Sequence, residues 1–216
     1  MLFRYLDLLV SDPGDFFLFL FLVVVALLVA LTVHEFSHAL VANGLGDDTA
    51  RRLGRLSLNP LRHLDPAGTV LFLLAGFGWA KPVPVNINSL SRGRLDMALV
   101  AVAGPISNVV VTFLVAIPIR LGLVQVTFIW DMLNVAIIFN LIVAAINLIP
   151  IFPLDGSKVV LGIVPSSLAT TLSRIERYGP LILILVIIVD YVTGLGLIWR
   201  SIGPMVNAVR ELALGV

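Results

Sequence analysis

The sequence predicts an all-α polytopic membrane protein with about four transmembrane helices. Of its 216 residues, 59% are hydrophobic and 12% are charged, whereas a soluble domain is about half apolar and about a quarter charged. Four stretches run for about 20 residues or more with almost no charge, which is the length needed to cross the hydrocarbon core of a bilayer. These stretches are 16–42, 95–119, 128–149 and 180–199.

Composition also excludes several classes of protein. The net charge of +1 carries no signal for binding nucleic acid, and the absence of cysteine rules out disulfides and thiol chemistry. The first apolar stretch is too long for a signal peptide and lacks a small-x-small cleavage site, so we expect it to be retained. We therefore predict one membrane-embedded domain over 1–216, with a core at about 16–156, a last span at about 180–199 and a tail helix.

The most polar part of the chain, 43–94, separates the first two spans. It contains the short apolar run 67–80, and about 14 residues is too short for an ordinary crossing, so we predict a re-entrant segment. The following residues, 79–86, include Pro82 and Pro84. Because proline disfavours helix at its own and the preceding position, this segment is expected to be extended, as a short β-like element of the loop.

Loop charges predict the orientation. If 67–80 does not cross, ten basic residues lie on one side of the membrane and four on the other, and the positive-inside rule places the larger group in the cytoplasm. A crossing at 67–80 would remove this bias. The sequence thus predicts a multi-pass protein of the cell membrane with both termini outside. The tail, 201–216, has apolar residues at helical spacing and is expected either to lie along the membrane surface or to form a frayed tail helix.

The strongest chemical signal is His34-Glu35-Phe36-Ser37-His38 in the first span. Residues i and i+4 share one face of a helix, so both imidazoles can bind the same metal ion. Glu35 is placed to accept a proton from an attacking water. Ionisable groups within a span are costly unless they are paired or functional, which favours a metal site over a buried cluster that only stabilises helix packing.

A catalytic zinc site needs a third protein ligand and an open position for water. Asp155 follows Pro150 and Pro153, which break the third span on the side of the membrane predicted for His34. On spacing alone, however, an ordinary turn residue is the commoner interpretation of Asp155. His63 is a further candidate ligand, although a structural histidine is commoner in such a loop, and Glu176 is the ligand expected if the chain is another type of membrane zinc protease.

The combination of motifs resembles the site-2 protease family of intramembrane zinc metalloproteases, in its compact prokaryotic form without a PDZ-like or nucleotide-sensing domain. The likeness rests on His34–His38, on Asn147 to Gly156 and on Gly104-Pro105-Ile106-Ser107-Asn108, with weaker likeness in the polar loop. It implies that Asp155 is the third ligand of one Zn²⁺ per chain. It also implies that Asn147 contacts the substrate or the developing oxyanion, and that Asn108 lies near the site.

The function that this resemblance implies is zinc-dependent endopeptidase activity toward the transmembrane segments of other membrane proteins, with the active site toward the cytoplasm. The implied partners are a transmembrane substrate and the lipid bilayer. Two other functions fit the composition: a membrane metal or proton transporter, and a non-catalytic relative that only binds membrane helices. The residues indicate neither the oligomeric state nor a role for Asp190.

Overall fold

The computed structural model describes residues 6–75 and 78–216, which are mainly helical. The helices of these ranges are α1 (Leu6–Ser11), α2 (Pro13–Gly44), α3 (Thr49–Arg52), α4 (Pro66–Ala75), α5 (Arg94–Arg120), α6 (Thr127–Asn147), α7 (Asp155–Ile163), α8 (Ser166–Ser173), α9 (Gly179–Thr193) and α10 (Leu197–Leu214). Short 3-10 turns occur at Pro60–Arg62, Ile87–Ser89 and Glu176–Tyr178. The predicted all-α architecture is confirmed.

Helices α2, α5 and α6 form the centre of the fold and are long and apolar enough to cross a membrane. They correspond to the first three predicted spans, although α6 ends at Asn147 rather than at residue 149. Pro13 occupies the first turn of α2, where its missing N–H is not needed, and Asp12 accepts a hydrogen bond from the backbone N–H of Asp15. With 32 residues, α2 is about 48 Å long at 1.5 Å per residue, longer than a bilayer core.

Small and polar residues let the three helices approach closely. On α5 they recur every three or four residues, which places them on one face of the helix, and this face is fully or almost fully buried. In a membrane, helices associate through such small residues and through hydrogen bonds, because lipid is as apolar as a leucine side chain. The small and polar residues that recur along this buried face are Ala101, Gly104, Asn108, Thr112 and Ala116.

The two ends of the segment 67–80 lie next to each other, at the same end of the bundle. Leu64 and Ala80 pair in an isolated antiparallel β-bridge, and a Cβ added to Gly68 would lie only 2.2 Å from the carbonyl oxygen of Trp79. Helix α4 has 10 residues, about 15 Å of helix, so it is too short to cross. These contacts agree with the predicted re-entrant segment, of which residues 76–77 lie outside the described ranges.

The fourth predicted span, 180–199, is interrupted. Helix α9 ends at Thr193, and the chain from Ser166 to Thr193 is bent by 96° relative to α10. Gly194 and Gly196, with φ of 63° and 65°, adopt the left-handed conformation that glycine accepts without a Cβ clash. The prediction of a continuous helix to residue 199 is therefore wrong at its C-terminal end, although the bent pair counts as a fourth candidate span.

Helix α10 packs against α5 and α6, so the alternative of a frayed tail is wrong, whereas a place along the membrane surface stays a prediction. Its residues Ile202, Val206 and Ala213 are buried in a cluster with residues of α5 and α6. The Arg120 guanidinium at the end of α5 donates a hydrogen bond of 3.3 Å to the carbonyl oxygen of Leu212. The helical spacing of apolar residues in the tail predicted a helix, and the structure shows that the apolar face of this helix packs against the bundle.

Candidate metal centre

Two imidazoles and one carboxylate converge inside the helix bundle. His34 and His38 lie one turn apart on α2, and their Nε2 atoms are each 3.0 Å from the same Oδ2 atom of Asp155. All three side chains are buried, and their potential ligand atoms lie within 4.8 Å of one another. The three predicted ligands, separated by up to 121 positions in the chain, are therefore brought together by the fold.

Hydrogen bonds at the far side of each imidazole orient the nitrogens that face Asp155. The Nδ1 atom of His34 is 2.7 Å from Oδ1 of Asn108, and Nδ1 of His38 is 2.7 Å from the carbonyl oxygen of Val100. Both partners are acceptors, so each Nδ1 carries the proton and donates it. Each neutral imidazole then presents the lone pair of Nε2 to the site, which is the form in which histidine binds a metal.

The resulting donor set fits a metal cation. Two Nε2 lone pairs and a carboxylate oxygen face one another and offer no proton among themselves, so a shared cation satisfies all three. Gly104 of α5 keeps the adjoining space open, because a Cβ at that position would lie 2.6 Å from Nε2 of both His34 and His38. Two histidines and one carboxylate, with an open position, make up a common ligand set of catalytic zinc.

Asp155 reaches the site because α6 stops before it. The chain between Asn147 and Asp155 is not helical, as Pro150 and Pro153 predicted, and Asp155 opens α7, where the helix dipole favours a negative charge. Its second carboxylate oxygen lies 3.6 Å from Nζ of Lys158. A Cβ on Gly156 would lie 2.3 Å from the carbonyl oxygen of Leu148, so the glycine allows α7 to start against the end of α6.

Glu35 lies beside the metal ligands and contacts the extended segment of the polar loop. Its Oε2 accepts a hydrogen bond of 3.0 Å from the backbone N–H of Val83. The guanidinium of Arg55 donates to the carbonyl oxygens of Lys81 and Pro82 and is close enough to Glu35 for electrostatic attraction. Burial lowers the pKa of Arg55, and the attraction of Glu35 opposes this effect. The extended segment is thus attached directly to the catalytic candidate.

Asp47 anchors the other end of this segment. Its Oδ2 accepts a hydrogen bond of 2.6 Å from the backbone N–H of Asn86, and its Oδ1 accepts from the N–H and the hydroxyl of Thr49. Desolvation raises the pKa of Asp47, but the hydrogen bonds from Thr49 and Asn86 outweigh it and leave the pKa below its ordinary value. The sequence reasoning missed this anchor, since an aspartate after Gly46 is typical of a turn.

Comparisons with known proteins identify the family. The chain is 40% identical over 207 residues to "Putative zinc metalloprotease YwhC" of Bacillus subtilis, a match that covers 88% of each protein. The chain belongs to the same family of zinc metalloproteases, in agreement with the resemblance found in its motifs. "Putative zinc metalloprotease Rip2" of Mycolicibacterium smegmatis is 28% identical over 180 residues, 77% of this chain and 66% of that protein. No protein-family model and no solved structure matches the chain.

Membership of this metalloprotease family makes zinc the metal of the centre, which confirms the predicted cofactor. The residues proposed as alternative ligands lie elsewhere. His63 is buried, with Nε2 at 2.7 Å from the carbonyl oxygen of Ser57, and Glu176 is exposed. Within the described ranges, neither belongs to the group of potential ligands around Asp155.

Asn147 and Asn108 have different surroundings. The amide of Asn147 donates a 3.0 Å hydrogen bond to the carbonyl oxygen of Val143 in its own helix, and its predicted contact with substrate stays a prediction. Asn108, expected only to be near the site, contacts the ligand His34 directly. Sequence reasoning missed Asn140 of α6, which is the hydrogen-bond partner of Asn108. The signal was available, because an asparagine within an apolar helix needs a hydrogen-bond partner.

Proposed function

We propose that this chain is an intramembrane endopeptidase that cleaves the transmembrane segments of other membrane proteins. The observation that carries the proposal is the burial of the metal centre within helices that can cross a membrane. His34 lies ten residues before the end of α2, about 15 Å along the helix axis. A protease of soluble substrates has no need to hold its metal at this depth, where polar groups are costly.

The chemistry divides between the metal and the protein. His34, His38 and Asp155 would hold a zinc ion, which would supply a Lewis acid for the scissile carbonyl and lower the pKa of the attacking water. Glu35 takes up a proton at its carboxylate when water attacks and returns it to the leaving amine. One of its oxygens accepts from Val83, which orients the carboxylate and leaves the other oxygen for the proton. Asn147, with a second amide hydrogen, is the proposed donor to the oxyanion.

The active site is proposed to open to the cytoplasm. The polar loop between α2 and α5 and the chain after α6 both leave from the end of the bundle that holds the metal centre. Most of the basic residues belong to these segments, and the positive-inside rule assigns such segments to the cytoplasm. Water and the proton of Glu35 would then exchange with the cytoplasmic side.

The extended segment from Trp79 to Asn86 is proposed to receive the substrate. A transmembrane helix hides its carbonyl groups in internal hydrogen bonds, so it must unwind before water can attack. Val83 contacts Glu35, so a substrate strand paired with this segment would run past the catalytic group. Such strand addition provides affinity through backbone hydrogen bonds and is a common mode of peptide recognition.

The test combines metal analysis with cleavage. Purified wild type and Glu35→Gln, each reconstituted in liposomes, would be given a fluorescence-quenched single-span peptide with a Gly-Pro pair in its apolar stretch, and separately casein. We expect one zinc per chain in both proteins, cleavage of the membrane peptide only by wild type, and a loss of about 100-fold or more in Glu35→Gln because a general base is removed. His63→Ala is the matched control for the removal of a buried histidine and should keep both zinc and activity.

Two results would contradict the proposal. Cleavage of casein while the membrane peptide stays intact would indicate a membrane-bound protease of soluble substrates. Transport of zinc into the liposomes, with Glu35→Gln transporting at the wild-type rate and no cleavage by either protein, would favour the transporter that the composition also allows.

A further inference from the structure

A chain of buried side-chain amides leads from α6 to the metal ligand on α2. The amide nitrogen of Asn140 donates to the carbonyl oxygen of Ala136 at 2.8 Å, and its Oδ1 accepts from Nδ2 of Asn108 at 2.9 Å. Nδ2 of Asn108 also donates to the carbonyl oxygen of Ala30 at 2.9 Å, and its Oδ1 faces Nδ1 of His34 at 2.7 Å. Asn108 and Asn140 are both 0% exposed.

The partners allow only one orientation of the Asn108 amide. Its nitrogen faces two oxygens, Oδ1 of Asn140 and the carbonyl oxygen of Ala30. A flipped amide would set oxygen against oxygen at both contacts, without a proton to share. The oxygen of Asn108 must therefore face His34, which in turn must donate its Nδ1 proton.

Asn140 supplies the second of the two hydrogen bonds that hold the Asn108 amide in this orientation. Without its oxygen, the Asn108 amide would keep Ala30 as its acceptor but would lose the second bond that resists rotation. A buried amide with an unmade hydrogen bond pays its desolvation cost in full. Within the described residues, Asn140 has no hydrogen bond to a metal ligand, and its hydrogen-bond connection to the centre passes through Asn108.

We propose that Asn140 is a positioning residue of the metal centre, which holds Asn108, and through it His34, in the orientation that directs Nε2 toward the metal. The proposal concerns the same centre as the proposed function and rests on its metal-binding role, but it requires no knowledge of the substrate. It explains why α6, which contributes none of the three predicted metal ligands, carries a fully buried polar residue at this level.

The test measures zinc affinity and the state of His34. The dissociation constant would be measured by chelator competition on purified protein in detergent for wild type, Asn140→Leu, Asn140→Asp and Asn134→Leu. Asn134 is the matched control, because it is buried on the same helix and also donates to the carbonyl oxygen four residues earlier, Trp130. Zinc-loaded protein with ¹⁵N-labelled histidine would report solvent exchange of the Nδ1 proton of His34, with His38 as internal reference.

We expect Asn140→Leu to weaken zinc binding about tenfold, at the lower end of the effect of losing a residue that supports a metal ligand. The protected Nδ1–H signal of His34 should be lost while that of His38, bonded to the backbone of Val100, is retained. Asn140→Asp should restore both properties, because a buried, protonated aspartic acid can donate to Ala136 and accept from Asn108. Asn134→Leu should bind zinc within about twofold of wild type.

Unchanged zinc affinity and a protected His34 signal in Asn140→Leu would overturn the inference while leaving the proposed function intact. Equal losses in Asn134→Leu would overturn it as well, since they would indicate a general loosening of α6. If Asn140→Leu does not fold, Asn140→Ala carries the same expectations, since it also removes the acceptor. Absence of zinc from wild-type protein would instead refute the proposed function and this inference together.

Discussion

Replacing Gly104 by alanine tests whether helix packing creates the metal centre. Gly104 lies on the buried face of α5, directly against the two imidazoles of α2. A Cβ at this position would lie 2.6 Å from Cε1 and Nε2 of His34 and 2.6 Å from Nε2 of His38. The added methyl group would meet both ligands at the nitrogens that bind the metal.

The size of the effect follows from these distances. Real Cβ contacts essentially never fall below 3.0 Å and are mostly longer than 3.4 Å, so the imidazoles or α5 must retreat by about 0.4 Å at least, and by about 0.8 Å for an ordinary contact. A metal site tolerates displacements of only about 0.2 Å in its ligand distances. Because two of the three ligands are affected, we expect zinc affinity to fall by about 100-fold or more. Overpacking should also destabilise the fold by about 1–3 kcal/mol.

The assay is zinc content by elemental analysis together with chelator competition, both on protein that has been shown by circular dichroism to keep its helices. Gly44→Ala is the matched control, since a Cβ on this last residue of α2 would meet nothing within 4 Å. It should bind zinc as wild type does. Wild-type zinc affinity in folded Gly104→Ala would refute the argument that Gly104 holds open the space beside the ligands.

Three further predictions concern the loop and the C-terminal bend. The pKa of Asp47 is lowered in the folded protein, so its ionised form stabilises the fold above about pH 4, and this contribution is lost as the pH falls through the folded pKa. Thermal melts should show that Asp47→Asn lowers the melting temperature at pH 7. The difference from wild type should shrink toward pH 3. Asp190 accepts hydrogen bonds from the first backbone N–H groups of α10, so Asp190→Ala should lower the free energy of unfolding by about 1 kcal/mol. The control Asp131→Ala, on α6, should change it little. Equal melting temperatures of Asp190→Ala and wild type would contradict the capping role. Val85→Pro should slow peptide cleavage without loss of zinc if the extended segment pairs with substrate. Unchanged turnover in this variant would exclude strand addition. Val83→Pro is a poorer test, because it also removes the N–H that donates to Glu35.

The metal ligands show how far local pattern extends. The i, i+4 spacing of His34 and His38 predicted a shared ligand face from helix geometry alone, and the structure places both rings beside Asp155. Asp155 itself could not be chosen from spacing, because a residue 117 positions beyond His38 is brought near only by the packing of α6 and α7 against α2 and α5. The resemblance to a family, rather than the physics of the local sequence, selected it.

The amides and the loop anchors show what local pattern cannot reach. Asn108 and Asn140 read as isolated polar residues in apolar helices, and which atoms they bind depends on the rotation of each helix about its axis. Asp47 reads as a turn residue until the backbone of Asn86 is placed beside it. Each of these contacts joins residues 32 or more positions apart, so no periodicity encodes them.

The sequence by itself determined that the chain is helical and membrane-embedded, because the length of an apolar run and the period of a helix are local properties. It also determined the identity of the histidine pair and its neighbouring carboxylate. Only the tertiary structure decided that Gly104 opens the space beside the ligands, that Asn140 is bonded to Asn108 behind His34 and that α10 packs against α5 and α6. These features depend on which helix faces meet, and helix faces meet according to the packing of the whole chain.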